Sequence, residues 1–481
     1  MQMKVQCALS ALCILALAAC ATAPRLPKRA SVQVWLSTAN GEKQLAREAD
    51  LAFDVSTNAS TIIDIDADKR HQAMIGFGAA ITDSSAWLIE KRMNAAQRDK
   101  LLHELFARGD GGLGIDFTRL TIGASDFSRA HYSLDDMPPG QADPALAHFS
   151  LAPKIANTGA EQVLPVVRAA LAINPQLKVM ASPWSAPAWM KTNDSLLHGT
   201  LKYEYHAAFA NYLVKYVDAM AAAGVPIFAL TAQNEPRFNP PDYPSMLLSA
   251  GARRLLIGEH LGPELAKRER PPLIFDWDHN WDIETEPLAV LADPPANRYV
   301  AAVAWHCYAG YVDAQTRVHD AYPDKDAYLT ECSGGDWKPM KDDGLLTITR
   351  RLLIGSVRGW SRGVLLWNLA LDENHGPHAG GCKNCRGLVT IDSRTGNFTR
   401  TVDYVAIAHA SRFVRPGARR VESSEGRNDV DNVVFRNADD GSLVMIVANS
   451  SPSAQRFVAR GTGRAFTYEM PARSVATFVW R

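Results

Sequence analysis

The stretch Val225-Pro226-Ile227-Phe228-Ala229-Leu230-Thr231-Ala232-Gln233-Asn234-Glu235-Pro236 decides the fold. Its first half, residues 225–230, is an apolar run typical of a buried parallel strand. Polar groups begin where that strand should end, and Pro236 both stops the strand and favours extended backbone at Glu235. The sequence therefore predicts a carboxyl group held at the tip of a strand.

A second stretch has the same organisation. Residues 327–335 read Ala-Tyr-Leu-Thr-Glu-Cys-Ser-Gly-Gly and place Glu331 at the end of another apolar segment. Two carboxylates on two strand tips suit acid/base and nucleophilic work on a sugar bond. For either glutamate alone, the competing interpretation is an ion pair with a neighbouring arginine or a helix cap.

Between and around these stretches, strand and helix patterns alternate. Ala95 to Phe106 and Tyr205 to Ala223 carry apolar residues at helical spacing. Eight strand candidates begin near residues 75, 117, 178, 227, 273, 302, 327 and 363. This pattern predicts an α/β fold, a (β/α)8 TIM barrel with its active site at the carboxyl ends of the strands. On this count Glu235 ends the fourth strand and Glu331 the seventh, so both face one ligand across the barrel mouth.

The chain divides into four predicted segments. Alternating strand patterns on both sides of the barrel predict a small appended β-sandwich built from the two ends of the chain. The predicted segments are a signal peptide at 1–20, amino-terminal sandwich strands at 31–70, a catalytic barrel at 71–409 and the carboxyl-terminal sandwich at 410–481.

The amino end has the features of a targeting segment. Lys4 precedes an apolar run, residues 7–19, that is too short to span a membrane. Its end, Leu17-Ala18-Ala19-Cys20, resembles a bacterial lipobox, with lipidation at Cys20; the alternative is an ordinary secretory signal cut near Ala23. We expect an exported protein, in the outer membrane or periplasm, that meets the membrane only through that lipid. Lys+Arg and Asp+Glu are both 51, so the chain offers no basic excess for nucleic acid.

Four cysteines lie beyond this segment, at positions 307, 332, 382 and 385. In an oxidising compartment we favour a disulfide between Cys382 and Cys385. Free thiols are one alternative. Another is a zinc site, because His375 and His378 add a second pair at ligand spacing. The chemistry expected of the two glutamates needs neither a metal nor a cofactor.

A further set of motifs is spread along the chain: Gly76–Asp83, Arg119 followed by Ala124–Ser128, Ala181–Asn193, Asn234–Pro236, Tyr328–Glu331 and Trp367–Leu371. Together these motifs resemble a known family, the glucosylceramidase family or glycoside hydrolase family 30. The long Pro-Trp stretch within Ala181–Asn193 is the most specific of them. The likeness covers most of the chain after the targeting segment.

The resemblance implies a retaining β-glycosidase in which Glu235 is the acid/base and Glu331 the nucleophile. The implied substrate-binding residues are Arg119, Asp126, Trp184, Asn234, His306, Tyr308, Trp367 and Asn368. Arg119 and Tyr308 would keep the pKa of Glu331 low, and the charge of Glu331 would raise that of Glu235. Asp276 and Asp278 are interpreted as helix caps and left outside the site.

The expected partner is a β-glucoside, either a glycan or a glycolipid. Our main expectation is glucosylceramidase-like hydrolysis. The alternative within the family is an endo- or exo-β-1,6-glucanase, because residues 375–386 differ from the lysosomal branch and Cys332 follows Glu331 directly. The alternative of another class is a non-catalytic carbohydrate-binding lipoprotein, which would be expected to lack one of the two carboxylates.

Overall fold

The computed structural model describes residues 31–54, 61–109, 111–152, 160–338 and 344–481. The predicted signal peptide and the lipidation site Cys20 lie outside these residues. Among the described residues, no helix is both long enough and apolar enough to cross a membrane.

The central element is the predicted barrel. Each strand pairs in parallel with the next from the second to the eighth. The eighth also pairs with the first, and the Ile81 N–H donates to the Arg119 carbonyl across the remaining gap. The strands are Gly76–Ala80, Phe117–Ile122, Lys178–Pro183, Ala229–Thr231, Leu273–Asn280, Val300–His306, Asp326–Glu331 and Ser361–Asp372. The TIM-barrel prediction is confirmed.

Helices connect the strands on the outside of the barrel. The two helices predicted from apolar spacing are present, as Ala95–Phe106 and His206–Ala222. The first begins with a reciprocal cap, in which Asn94 and Gln97 each satisfy the other's backbone N–H. The other helices are Asp83–Arg92, Ala160–Ile173, Ala250–Leu255 continued by Leu256–Leu261 and Gly262–Leu265, Thr285–Leu291, Pro294–Asn297, Asp313–Ala321, Gly344–Ile348 continued by Thr349–Ser356, and Val402–Ser411.

The barrel interior is a packed core. Phe117, Phe275 and Tyr328 fill it together with small residues such as Ala229 and Ala302. Because side chains block the lower part of the barrel, a ligand is confined to the mouth, where the strands end.

The two ends of the chain form the second domain, which the sequence predicted as a β-sandwich. Its ten described strands are Ser31–Thr38, Ala46–Arg47, Leu51–Ala52, Thr61–Ala73, Arg419–Ser423, Val430–Arg436, Leu443–Asn449, Gln455–Gly461, Arg464–Met470 and Ser474–Trp480. Its apolar core, which includes Val34, Ile63 and Phe478, is separate from the barrel core.

The helix Val402–Ser411 lies between the two domains. It contacts the first barrel strand and also the last sandwich strand, Ser474–Trp480. His409 on this helix hydrogen-bonds Thr477 and Ser37 of the sandwich, both at 2.8 Å. The predicted boundary between the domains, after residue 409, falls within this helix, which ends at Ser411.

Candidate active site

The buried pair Arg119–Asp278 is the centre of the barrel mouth. Neither side chain is exposed, and a guanidinium nitrogen of Arg119 lies 2.8 Å from Asp278 Oδ2. Hydroxyl groups at the ends of three other strands also donate to Asp278, from Ser182, Thr231 and Thr330 at 2.7–2.8 Å. Burial alone would raise the pKa of Asp278, but Arg119, His306 and Ser182 hold it well below its ordinary value. The carboxylate therefore stays ionised.

A backbone irregularity aims Asp278 into the barrel. Trp277 and Asp278 both have positive φ, 78° and 51°, and the pairing register with the next strand shifts there. Such a bulge redirects a side chain at a strand end. Asp278 and Asp276 therefore have different partners: Asp276 pairs with Arg253 at 2.8 Å. The interpretation of Asp278 as a helix cap is wrong.

Glu331 is the last residue of the seventh strand, as predicted. Arg119 donates to one carboxylate oxygen, and the Tyr308 hydroxyl donates to the other at 2.9 Å. The Arg119 guanidinium lies 4.8 Å from the centre of the Trp184 ring, which fixes its plane. Burial raises the pKa of Glu331 above its ordinary value even though His306 and Arg119 oppose it. The predicted low pKa is therefore not found in the free site, because burial outweighs both cations.

Glu235 lies in the loop beyond the fourth strand rather than in the strand. Its φ is 46°, so the extended backbone predicted before Pro236 is wrong. A hydrogen bond of 3.0 Å from the Glu235 N–H to the Asp278 carbonyl holds this left-handed turn. Non-glycine residues held in such conformations cluster at functional sites. Here the turn lets Glu235 face the pocket.

His306 connects Glu235 to the central pair. Its Nδ1 lies 3.1 Å from Glu235 Oε1, and its Nε2 lies 2.9 Å from Asp278 Oδ1. Burial lowers the pKa of His306, but Glu331 and these two hydrogen bonds raise it to about 9. Burial also raises the pKa of Glu235, but the hydrogen bond and charge of His306 outweigh it and leave that pKa lowered. The expected high pKa of Glu235 is thus corrected: in the free site the neighbouring His306 lowers it.

A cavity of about 360 Å³ opens between the two glutamates. Trp184 and Trp367 stack on each other, with ring centres 4.9 Å apart, and form one wall. Asp126 lies beside them, and its Oδ1 is buried with no hydrogen-bond partner among the described residues. An unpaired buried carboxylate oxygen at a pocket suits a sugar hydroxyl as partner.

Most of the predicted site residues meet at this cavity. Its lining includes Asp126, Trp184, Asn234, Glu235, Tyr308, Glu331 and Trp367. Arg119 and His306 are fully buried behind that lining and act on it through hydrogen bonds. Asn368 does not line the cavity and accepts a hydrogen bond from Thr82 instead. Successive strand residues face opposite ways, so with Trp367 in the pocket Asn368 points elsewhere.

Two disulfides lie next to the pocket. One joins Cys382 and Cys385, whose side chains line the cavity. The other, which the sequence did not predict, joins Cys307 to Cys332 and so connects the residues that follow His306 and Glu331. With both cysteines of the 375–386 loop paired, the zinc interpretation of that loop is wrong. Its His375 hydrogen-bonds the Cys385 carbonyl at 3.0 Å.

Sequence reasoning missed several residues of the site. Asp278 and His279 belong to the polar run 276–280 at the end of the fifth strand, the same signal that marked the other strand ends. Phe238, Tyr243 and Trp337 come from loops, where no spacing rule applies. Among the described residues, one group of side chains has the spacing of a metal site: Glu235, His279 and His306.

This fold and site define a class of protein. A pair of carboxylates and stacked tryptophans at the mouth of a (β/α)8 barrel are typical of the active site of a glycoside hydrolase, an enzyme that cleaves O-glycosyl bonds. The model of the glycosyl hydrolase family 30 TIM-barrel domain matches residues 74–414, and that of the family 30 beta sandwich domain matches 417–478. The chain belongs to glycoside hydrolase family 30.

Relatives within the family carry two kinds of name. An endo-1,6-beta-D-glucanase of Neurospora crassa is 34% identical over 87% of this chain and 88% of its own length. The lysosomal acid glucosylceramidase of Mus musculus is 27% identical over 88% of this chain and 84% of its own. The solved structure of the endo-beta1,6-glucanase BT3312 superimposes with a TM-score of 0.85 at 31% identity, over 94% of this chain and 99% of that one.

Proposed function

We propose that this protein hydrolyses β-1,6-linked glucan with retention of configuration. The main observation behind this mechanism is that the two carboxylates at the cavity have different hydrogen-bond partners. Glu331 is held by Arg119 and Tyr308, whereas Glu235 is hydrogen-bonded to His306. Two donors, Arg119 and Tyr308, would stabilise the charge on Glu331 as a nucleophile, and His306 can return a proton to Glu235.

The first chemical step uses both groups. Glu331 attacks the anomeric carbon while the bond to the leaving oxygen breaks, and Glu235 gives that oxygen a proton. His306 does not line the cavity, so the proton that it shares with Glu235 reaches the substrate through Glu235. Water then attacks the glycosyl-enzyme, with Glu235 accepting its proton, and releases Glu331.

The glucan assignment rests on the relatives and on the pocket rim. The relatives at 34% and 31% identity bear the name of an endo-1,6-β-glucanase, and the glucosylceramidase relative is more distant, at 27%. The rim carries three separate exposed aromatic rings, Phe238, Tyr308 and Trp337, which are between 45% and 49% exposed. Polar residues such as Asn280 and Ser333 lie among them. Separate rings between polar groups favour successive sugar units over a continuous lipid chain. Hydrolysis of glucosylceramide is therefore the second candidate.

The test compares linear β-1,6-glucan oligomers with an aryl β-glucoside and with glucosylceramide in detergent. We expect the highest kcat/KM on the oligomers, with the β-anomer formed first in proton NMR. Trp337→Ala should lower kcat/KM on long oligomers by roughly fivefold, about 1 kcal/mol of lost stacking, and spare the aryl glucoside. Tyr203→Ala, an exposed aromatic outside the rim, is the control. A higher kcat/KM on glucosylceramide would reverse the assignment.

We also propose that the protein is exported and anchored through Cys20. Two disulfides support an oxidising compartment, because cytosolic thiols are kept reduced. Mass spectrometry of the amino-terminal peptide from the native host should detect a lipid on Cys20. An unmodified peptide that begins directly after Ala23 would instead identify an ordinary secreted form.

A further inference from the structure

Three side chains with metal-binding atoms converge on one point of the pocket. Glu235 Oε1 lies 3.1 Å from His306 Nδ1 and 3.6 Å from His279 Nδ1. The three residues each offer one ligand atom, and these ligand atoms lie within 4.8 Å of one another. We call these residues the Glu235–His279–His306 cluster.

A second, independent observation at His279 indicates that this cluster binds something. Its side chain is nine-tenths buried, and its Nδ1 has no hydrogen-bond partner among the described residues. Packing against Trp277, with ring centres 5.1 Å apart, orients the ring. A buried ring nitrogen without a partner costs free energy, so its place beside Glu235 calls for an explanation.

Two separations within the cluster suit a tetrahedral metal ion. Zinc bonds of about 2.0–2.2 Å to nitrogen and oxygen put neighbouring ligand atoms about 3.3 Å apart. The two separations from Glu235 Oε1, 3.1 and 3.6 Å, lie on either side of this value. Asp278 hydrogen-bonds the far nitrogen of His306, the support that zinc-binding histidines usually have.

The local charges also favour a dication. Three buried carboxylates, Glu235, Asp278 and Glu331, lie around the guanidinium of Arg119 and the ring of His306. A metal ion there would balance part of this negative charge. Two imidazoles and one carboxylate suit zinc or copper, whereas magnesium and calcium prefer oxygen ligands.

We propose that the Glu235–His279–His306 cluster binds a transition-metal dication of the zinc type, and that the bound ion inhibits hydrolysis. Glu235 and His279 line the cavity, so an ion can reach the cluster from there. With the metal bound, Glu235 Oε1 would coordinate the ion, and the carboxyl group would carry no proton for the leaving group. The site follows from the geometry alone, whereas the inhibition rests on the proposed acid/base role of Glu235.

The experiment separates these two parts. Metal-free full-length protein is titrated with Zn²⁺ by calorimetry and with Co²⁺ by visible absorption, whose intensity distinguishes a tetrahedral site from a hydrated ion. Hydrolysis of the aryl glucoside is measured in parallel, with Mg²⁺ as the hard-ion control. We expect one zinc per chain, inhibition that a chelator reverses, and no response to Mg²⁺.

Variants identify the site. His279→Phe should weaken zinc binding by at least about tenfold and remove the cobalt absorption, and His279→Asn serves if the first variant does not fold. His148→Phe is the matched control, because that histidine also lies beside a carboxylate, Asp143, but is exposed. Zinc affinity that is unchanged in His279→Phe, or equally reduced in His148→Phe, would overturn the site. Zinc binding at His279 without inhibition would leave the site standing and contradict the role given to Glu235.

Discussion

The barrel mouth and the interface between the domains each bury a histidine completely, yet they treat it in opposite ways. His306 at the mouth lies between the carboxylates of Glu235 and Asp278, and its pKa is raised to about 9. His409 at the interface lies between the hydroxyls of Thr477 and Ser37, and burial lowers its pKa to about 3.

The opposite pKa shifts of the two histidines show which property distinguishes a reactive site in this fold. Burial among neutral groups removes a charge, and the result is a rigid contact between domains. Burial among ions keeps charges in place, and such groups can move protons or attack a carbon. Burial alone therefore identifies neither region as functional, and the nature of the buried partners does.

The largest effect on activity should come from the mouth. Glu331→Gln removes the carboxylate proposed as the nucleophile but keeps its size, and we expect a loss in kcat of about 10⁴-fold or more. Steady-state rates on the aryl glucoside measure it. Glu284→Gln, which breaks an exposed pair with Arg317, should keep full activity. If Glu331→Gln retained more than a tenth of the activity, Glu331 would not be the nucleophile.

Asp278→Asn should have the second-largest effect on activity, with a loss on the order of 10²–10³-fold in kcat/KM. The substitution removes the charge that orders both Arg119 and His306. Asp276→Asn on the same strand breaks another buried pair, with Arg253, outside the cavity. Both variants should lose stability, but only Asp278→Asn should lose activity while folded. Equal activities of the two folded variants would show that the charge of Asp278 is structural only.

Opening the Cys307–Cys332 disulfide should have a smaller effect. It fixes the backbone next to Tyr308 and Glu331, whose hydrogen bond measures 2.9 Å. We expect the double variant Cys307→Ala/Cys332→Ala to lose about 10- to 100-fold in kcat through misplacement of these groups. In a Tyr308→Phe background the further loss should be slight, because the contact is already gone. A full additional loss there would mean that the disulfide acts elsewhere.

A substitution at the interface between the domains should have the smallest effect on activity and should instead change the stability of the protein in acid. His409 titrates near pH 6.5 when unfolded but about pH 3 when folded, so the unfolded chain binds more protons between these values. Stability is therefore complete above pH 6.5 and falls as the pH drops towards 3, by up to about 1.4 kcal/mol per pH unit. His409→Gln should flatten this slope by one proton in urea denaturation, whereas exposed His103→Gln should not. An unchanged slope would place the acid sensitivity in other groups.

The sequence was sufficient for the framework and for one side of the pocket. Apolar runs that end in polar residues are a regular signal, and they located all eight barrel strands and the positions of Arg119, Trp184 and Glu331. The same signal marked Asp278, but a bulge directs its side chain, and a local kink is not visible in a two-residue period. The positive φ at Glu235 is likewise a local feature of the backbone that the sequence pattern does not reveal.

The other side of the pocket could not be predicted. Phe238, Tyr243 and Trp337 reach the cavity from loops whose paths depend on long-range contacts. The Gly381 N–H, for example, donates to Asp242 at 3.0 Å, far away along the chain. The Cys307–Cys332 disulfide likewise depends on the relative position of the ends of the sixth and seventh strands. The sequence therefore predicted the chemistry better than the substrate.

One measurement tests the central claim most directly. A 2-deoxy-2-fluoro β-glucoside with a good leaving group should trap the glycosyl-enzyme, and peptide mass spectrometry should locate the sugar. The account predicts one labelled residue, Glu331, with labelling abolished in Glu331→Gln and preserved in Asp276→Asn. A label on Glu235 or elsewhere, or catalysis that yields the α-anomer without any labelled peptide, would contradict it.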